Sequence, residues 1–193
     1  MSVVEGADEC SPEAEERALL ARVCAGDRTA FESLYRCYRP RLLRFLARTL
    51  WSPAAAEEVL NDTMLVVWRR ADTFNGSCKL STWIFAIAYR TALKARRILD
   101  DPSDEVVQDE ADESTAGPEG VVIAAQQAAA VRRMLEGLPA EQRAVVELTY
   151  FQDFSYREIA AVLCCPVDTV KTRMFHARRK LRLLLDAQKK EIA

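Results

Sequence analysis

The stretch LPAEQRAVVELTYFQDFSYREIAAVLCCPVDTVKTRMFHARRKLR, residues 138–182, decides the fold. Within it, Ser155-Tyr156-Arg157-Glu158 is a Ser-x-x-Glu capping box, in which each side chain satisfies a backbone donor that the first helical turn leaves unpartnered. The helix it opens is short and predicted to end at Leu163, where Cys164-Cys165-Pro166 makes a tight turn. A long helix then runs from Val167 to about Ala187, with Val170, Met174, Ala177, Leu181 and Leu184 at helical spacing. Its other positions carry Lys171, Arg173, Arg178, Arg179, Lys180 and Arg182.

A short helix, a turn and a basic helix form a helix-turn-helix. The major groove, about 12 Å wide, accepts a helix whose N-terminal residues meet base edges. A basic face is also what an ordinary solvated helix shows, so this pattern alone leaves DNA binding and a bland exposed surface both open. Upstream, Ala140 to Tyr150 reads as one helix, and Gly137-Leu138-Pro139 ends another that spans Val121 to Leu135.

An acidic stretch separates this block from the rest. PSDEVVQDEADESTAGP (Pro102–Pro118) has no aromatic residue and is bounded by prolines. Such a composition buries too little apolar surface to offset its ordering entropy and reads as a flexible, self-repelling linker. Before it, Phe31, Leu34, Tyr35, Tyr38, Leu42, Phe45, Leu46 and Leu50 recur every three or four residues. Ser52-Pro53 then starts a helix with Ser as cap and Pro at its first position. That helix puts Val59, Leu60, Met64, Val67 and Trp68 on one face and is expected to break at Asn75-Gly76. Ser81 or Thr82 is the candidate cap of a further helix, Trp83 to Arg97. No alternating strand pattern occurs. The expected fold is all-α: two small helical domains at 10–98 and 121–187, joined by the acidic linker at 99–120.

The charge supports a polyanion partner although the chain of 193 residues has a net charge of −2. Residues 1–16 hold six acids and residues 100–120 hold nine, and neither segment has a Lys or Arg. Outside them, 14 acids face all 27 Lys and Arg, so both helical bodies are cationic. The six cysteines contain no Cys-x-x-Cys pair and His176 is the only histidine, which argues against a structural metal. Reduced thiols in a cytoplasmic chain are the expectation; no apolar run reaches the roughly 20 residues of a membrane span, and Met1 to Glu16 does not read as a secretory signal.

With both blocks in view, the sequence resembles the extracytoplasmic-function group of bacterial sigma factors, two-domain initiation factors that retain the family's regions two and four. Leu138–Arg182 looks like region four from end to end. AAEEVLNDTMLVVWRRADTF (Ala55–Phe74) and STWIFAIAYRTALKARR (Ser81–Arg97) look like region two. The resemblance implies a promoter-specificity subunit with no covalent chemistry and no cofactor. Its implied partners are core RNA polymerase, through the clamp helices and the flap, promoter DNA both double- and single-stranded, and an anti-sigma factor. It implies no membrane contact of its own.

Residue by residue, the resemblance places the clamp-helix docking surface on Glu57, Glu58, Asn61, Asp62, Leu65, Val66 and Arg69. It places capture of the melted minus-ten element on Asn75, Lys79, Ser81, Thr82, Arg90, Lys94 and Arg97. Trp83 either lines that pocket or belongs to the core, with the core favoured by its spacing from Ile87. Reading of the minus-thirty-five element falls to Lys171, Thr172, Arg173, Phe175, His176 and Arg179, with Ser155, Tyr156 and Arg157 placed to clasp a phosphate. The chain departs from the family's usual pattern at Cys164 and Asp168, where Gly is common, and at Lys79 and Arg90, where Asn is frequent. The rival reading is a helix-turn-helix regulator that binds operators without polymerase; it gives no reason for the Ala55–Arg97 block. A DNA-modifying enzyme would need a nucleophile and clustered acids; the serines and carboxylates of the basic blocks are sparse and follow capping or helix-surface logic.

Overall fold

The computed structural model describes residues 12–99 and 131–192, with side chains over 13–97 and 131–186. Every regular element among the described residues is helical. The linker Pro102–Pro118 and the segment Val121–Ala130 lie outside them.

The first half holds four α-helices. α1 spans Pro12–Cys24, α2 Arg28–Leu50, α3 Pro53–Arg70 and α4 Leu80–Leu99. Asp27 caps α2 by accepting from the backbone N–H groups of Thr29 and Ala30, and Arg22 of α1 holds the same carboxylate at 2.7 Å. These bonds keep the Asp27 carboxyl far below the usual carboxylate range, first through Thr29 and then through Arg22 and the Ala30 N–H. Trp51 closes α2 in a left-handed conformation, φ 58°. Ser52 then caps α3 from its side chain, with Pro53 at the first position, as the sequence indicated.

Tyr38, Leu42, Phe45 and Leu46 of α2 pack with Leu60 and Met64 of α3 and Ile84 and Phe85 of α4, all essentially buried. Tyr38 donates to Glu16 at 2.9 Å, which pins α1 across the bundle. Two boundaries differ from the sequence reading. α3 ends at Arg70, not at Asn75-Gly76, because Ala71–Thr73 tightens into a 3₁₀ turn closed by the Thr73 hydroxyl on the Arg70 carbonyl. α4 starts at Leu80, so neither Ser81 nor Thr82 caps it.

The second half starts with α5 (131–136), followed by α6 (Ala140–Tyr150), α7 (Tyr156–Leu163) and α8 (Val167–Ile192). The predicted bounds of α6 and α7 hold, while α8 runs about one turn beyond its predicted end. Val145, Leu148, Ile159, Val162, Val170 and Ala177 form its core. The two halves are not separate: α7 packs along α4, and α6 meets α2.

Candidate nucleic-acid interface

The capping box forms as drawn from the sequence. Ser155 donates from its backbone N–H (2.8 Å) and its hydroxyl (2.6 Å) to Glu158 Oε2, and the Glu158 N–H returns to the Ser155 hydroxyl at 3.4 Å. At the other end of α7, Cys164 takes the left-handed conformation, φ 50° and ψ 48°. The Cys164 and Cys165 N–H groups both donate to the Ala160 carbonyl, and the Cys164 thiol reaches the Ala161 carbonyl at 3.8 Å, so these groups close the helix end. That seal sets the angle at which α8 leaves the turn.

Val170, Met174 and Ala177 face inward on α8, and Lys171, Thr172, Phe175, His176 and Arg179 form one exposed stripe on its outer side. Phe175 is 64% exposed and stacks edge-on to His176, with ring centroids 5.5 Å apart. An exposed large apolar ring flanked by cations suits contact with a thymine methyl beside phosphates. Asp168 is not a free negative charge here: Lys171 holds it at 2.9 Å. Arg173 departs from the stripe. It is half-buried, donates to Glu141 of α6 and lies 3.7 Å from the Cys165 sulfur. Ser155 and Arg157 are exposed at the start of α7, with Tyr156 half-buried between them.

On the first half, Glu58, Asn61, Asp62, Leu65 and Arg69 are exposed along α3, and Val66 is half-buried beside them. Leu65 is 44% exposed, an apolar anchor within a polar rim. Tyr35 of α2 donates to Asn61 at 3.1 Å and fixes one end of this face.

The loop ahead of α4 is shaped by Asn75, whose side chain accepts from the Ser77 N–H at 3.0 Å, and by Gly76 at φ 72°. Beside it, Trp83 is half-buried and packs against Phe74 at 5.6 Å, so it is not the full core residue its spacing suggested. Its open side, with Arg70, Thr73, Ile87 and Arg90, lines a cleft of about 320 Å³. Lys94 and Arg97 are exposed further along α4 and Ser81 is half-buried. Thr82 is 1% exposed, so it sits beneath this surface and not on it. Lys79 is engaged by Glu158 at 3.2 Å and by Glu13 at 3.6 Å, and these carboxylates, Glu158 foremost, hold its amine above the ordinary lysine value.

Three cations escaped the sequence reading. Arg41 and Arg48 lie seven residues apart on one face of α2, and Arg143 of α6 donates to the carbonyls of Leu135 and Leu138. Helical spacing would have put Arg41 and Arg48 together, but nothing local says what they face. Among the described residues no cluster of His, Cys, Asp and Glu is suited to a metal, and no helix is long and apolar enough to cross a membrane.

Two family descriptions match the chain: sigma-70 region 2 over residues 34–100 and sigma-70, region 4 over residues 128–181. The RNA polymerase sigma-H factor of Pseudomonas aeruginosa is 30% identical over 177 residues, covering 86% of this chain and 92% of that one. This chain belongs to the sigma-70 family. The ECF RNA polymerase sigma-E factor of Escherichia coli K12 is likewise 30% identical over 184 residues, 89% of this sigma factor and 94% of the relative. Among solved structures, CnrH in complex with the cytosolic domain of CnrY aligns at TM-score 0.69 and 25% identity, covering 90% of this chain and 98% of that one. The Bartonella quintana sigma factor RpoE, solved with the anti-sigma factor NepR, shares the fold at TM-score 0.61 and 24% identity, covering 81% and 96%. The region 2 match of this sigma factor starts within α2 and runs through α4, and the region 4 match runs from α5 into α8.

Proposed function

We propose that this sigma factor seats on core RNA polymerase and directs it to promoters by gripping two DNA elements, one with each domain. The observation that carries the reading is the presence, on one chain, of three exposed faces of different chemistry. The α3 face, with Leu65 among Glu58, Asn61, Asp62, Val66 and Arg69, suits a protein partner: an apolar anchor gives affinity and the charges around it set orientation. This is the surface for the polymerase clamp helices. The α8 stripe suits a duplex major groove, with Lys171, Thr172, Phe175, His176 and Arg179 toward the minus-thirty-five bases and Ser155, Tyr156 and Arg157 toward phosphate.

The cleft beside Trp83 suits an unstacked base from the melted minus-ten element, with Asn75, Lys79, Ser81, Arg90, Lys94 and Arg97 along the strand. A base that leaves the stack recovers ~1–3 kcal/mol on an aromatic surface. In region four an apolar groove of about 580 Å³, walled by Met134, Leu135, Val146, Tyr150, Phe151 and Leu185, suits a helix such as the polymerase flap presents.

The role involves no covalent chemistry, since nucleotide addition belongs to the polymerase, and it is exercised in the cytoplasm where polymerase works. Control by an anti-sigma factor fits the same exposed apolar surfaces, which a separate partner would cover. Gel filtration with core polymerase tests the docking step. Comigration is expected, and Asp62→Ala with Leu65→Ala should abolish it; a chain that never comigrates is a free-standing helix-turn-helix regulator.

A further inference from the structure

Asp168 stands at the head of the exposed stripe on α8. It lies in the first turn, one turn ahead of Lys171 and Thr172 and two ahead of Phe175 and His176, so these side chains share one outer face. From residue 169 to 185 the helix carries no other acid. The Asp168 side chain is 90% exposed and that of Lys171 60%. The carboxylate accepts from the Lys171 amine at 2.9 Å, and the Thr172 hydroxyl donates to the Asp168 backbone carbonyl at 2.9 Å.

A carboxylate at the reading end of a DNA-binding helix is repelled by every phosphate it approaches. In the major groove its favourable partners are the exocyclic amines of bases, N4 of cytosine and N6 of adenine. An acid in the first turn also suits the helix dipole. That role ends at the helix start, whereas this carboxylate is turned down the stripe toward Lys171. A donor and an acceptor therefore stand side by side where α8 meets base edges.

Such a couple complements a single base pair. Lysine donates to O6 and N7 of guanine, and an aspartate accepts from N4 of cytosine. In a G·C pair these groups are neighbours, because guanine O6 lies beside cytosine N4. An A·T pair offers the N6 amine, but it sets the thymine methyl beside O4, where guanine presents a second acceptor. The nearby guanidinium of Arg173 does not compete for this place, since it is half-buried and donates to Glu141 of α6.

We infer that Asp168 and Lys171 together select one G·C pair in the minus-thirty-five element, Lys171 donating to the guanine and Asp168 accepting from the N4 amine of its cytosine. The inference deepens the sigma-factor reading and rests on it. In the free chain the two side chains satisfy each other. On the matching pair the remaining N–H donors of Lys171 take guanine while Asp168 keeps a partner on both sides, so neither charge is stranded. On a mismatched pair Asp168 faces acceptors and phosphates, and that repulsion adds to the lost contacts.

Selection from a duplex pool randomised over the minus-thirty-five element, by the full-length chain assembled on core polymerase, tests this. The parent should enrich one position for G·C. Asp168→Ala should weaken that preference about fivefold or more and leave the other positions unchanged. It should also bind unrelated duplex more tightly, because a negative charge is gone. Lys171→Ala should lose the same preference at the same position. If Asp168→Ala raises affinity uniformly and alters no positional preference, Asp168 is only a repelling charge and the inference is overturned.

A second arm reads the cytosine amine itself. In the enriched duplex the cytosine is replaced by 2-pyrimidinone, which lacks the N4 amine. The parent should bind this duplex several-fold more weakly than the unmodified one, and Asp168→Ala should bind the two alike. An equal loss in parent and variant overturns the inference, since the amine then matters without Asp168. A pool in which the parent enriches no element overturns the sigma-factor reading and this inference with it, whereas an element enriched alike by parent and Asp168→Ala sinks the inference alone.

Discussion

Arg48 on α2 and Glu147 on α6, 99 residues apart in the chain, meet at 2.9 Å, with the Glu147 side chain almost wholly removed from water. Removing the cation leaves a buried charge, which typically costs ~3 kcal/mol or more. This chain has an inexpensive escape, because separating the domains rehydrates Glu147 without unfolding either. Arg48→Ala should therefore enlarge the radius of gyration in solution scattering while helical circular dichroism stays unchanged. A compact Arg48→Ala chain would show that the apolar contacts around Phe154 hold the domains by themselves.

Cys164 holds φ 50° at the end of α7, a conformation that a side chain resists and glycine adopts freely. Cys164→Gly should stabilise region four by about 1 kcal/mol, a rise of a few degrees in melting temperature for a domain of this size. A fall would mean that the thiol's contacts with Arg90 and the Ala161 carbonyl outweigh the backbone strain.

On α8 the exposed stripe and Arg173 should separate in a binding assay. Arg179→Ala and Phe175→Ala should each weaken binding to a minus-thirty-five duplex by ~1–3 kcal/mol. Arg173, held by Glu141, should cost less in binding and more in thermal stability when truncated. The opposite order would mean that Arg173 leaves Glu141 to read a base.

Acid should act on the first domain through Asp27. Its folded-state value lies below the ordinary 3.8, so its contribution is complete above that value and is lost as pH falls through the folded one. Asn caps a helix as well as Asp but does not titrate. The Asp27→Asn variant should thus show a shallower loss of melting temperature between about pH 4 and pH 2 than the parent. Parallel curves would remove Asp27 from the acid response.

Much of this architecture is legible in the sequence where the signal is local. Ser52-Pro53, the Ser155–Glu158 box and the Cys164-Cys165-Pro166 turn each specify backbone hydrogen bonds within a few residues, and each forms as read. The end of α3 was misplaced because Asn75-Gly76 is a louder turn signal than the quiet 3₁₀ tightening at Ala71–Thr73. Thr82 reads as a cap from its place ahead of Trp83, and the resemblance adds a strand contact, but the pitch of α4 turns it inward. Arg41, Arg48 and Glu147 carry no local mark at all, since their meaning exists only once α6 lies against α2.

The most direct test of the account is run-off transcription with purified core polymerase and promoters selected from the native genome. The account predicts discrete, factor-dependent transcripts, abolished by Asp62→Ala with Leu65→Ala and strongly reduced by Arg179→Ala. Absence of any promoter-dependent product across the selected set, with a folded factor and active core, would contradict it.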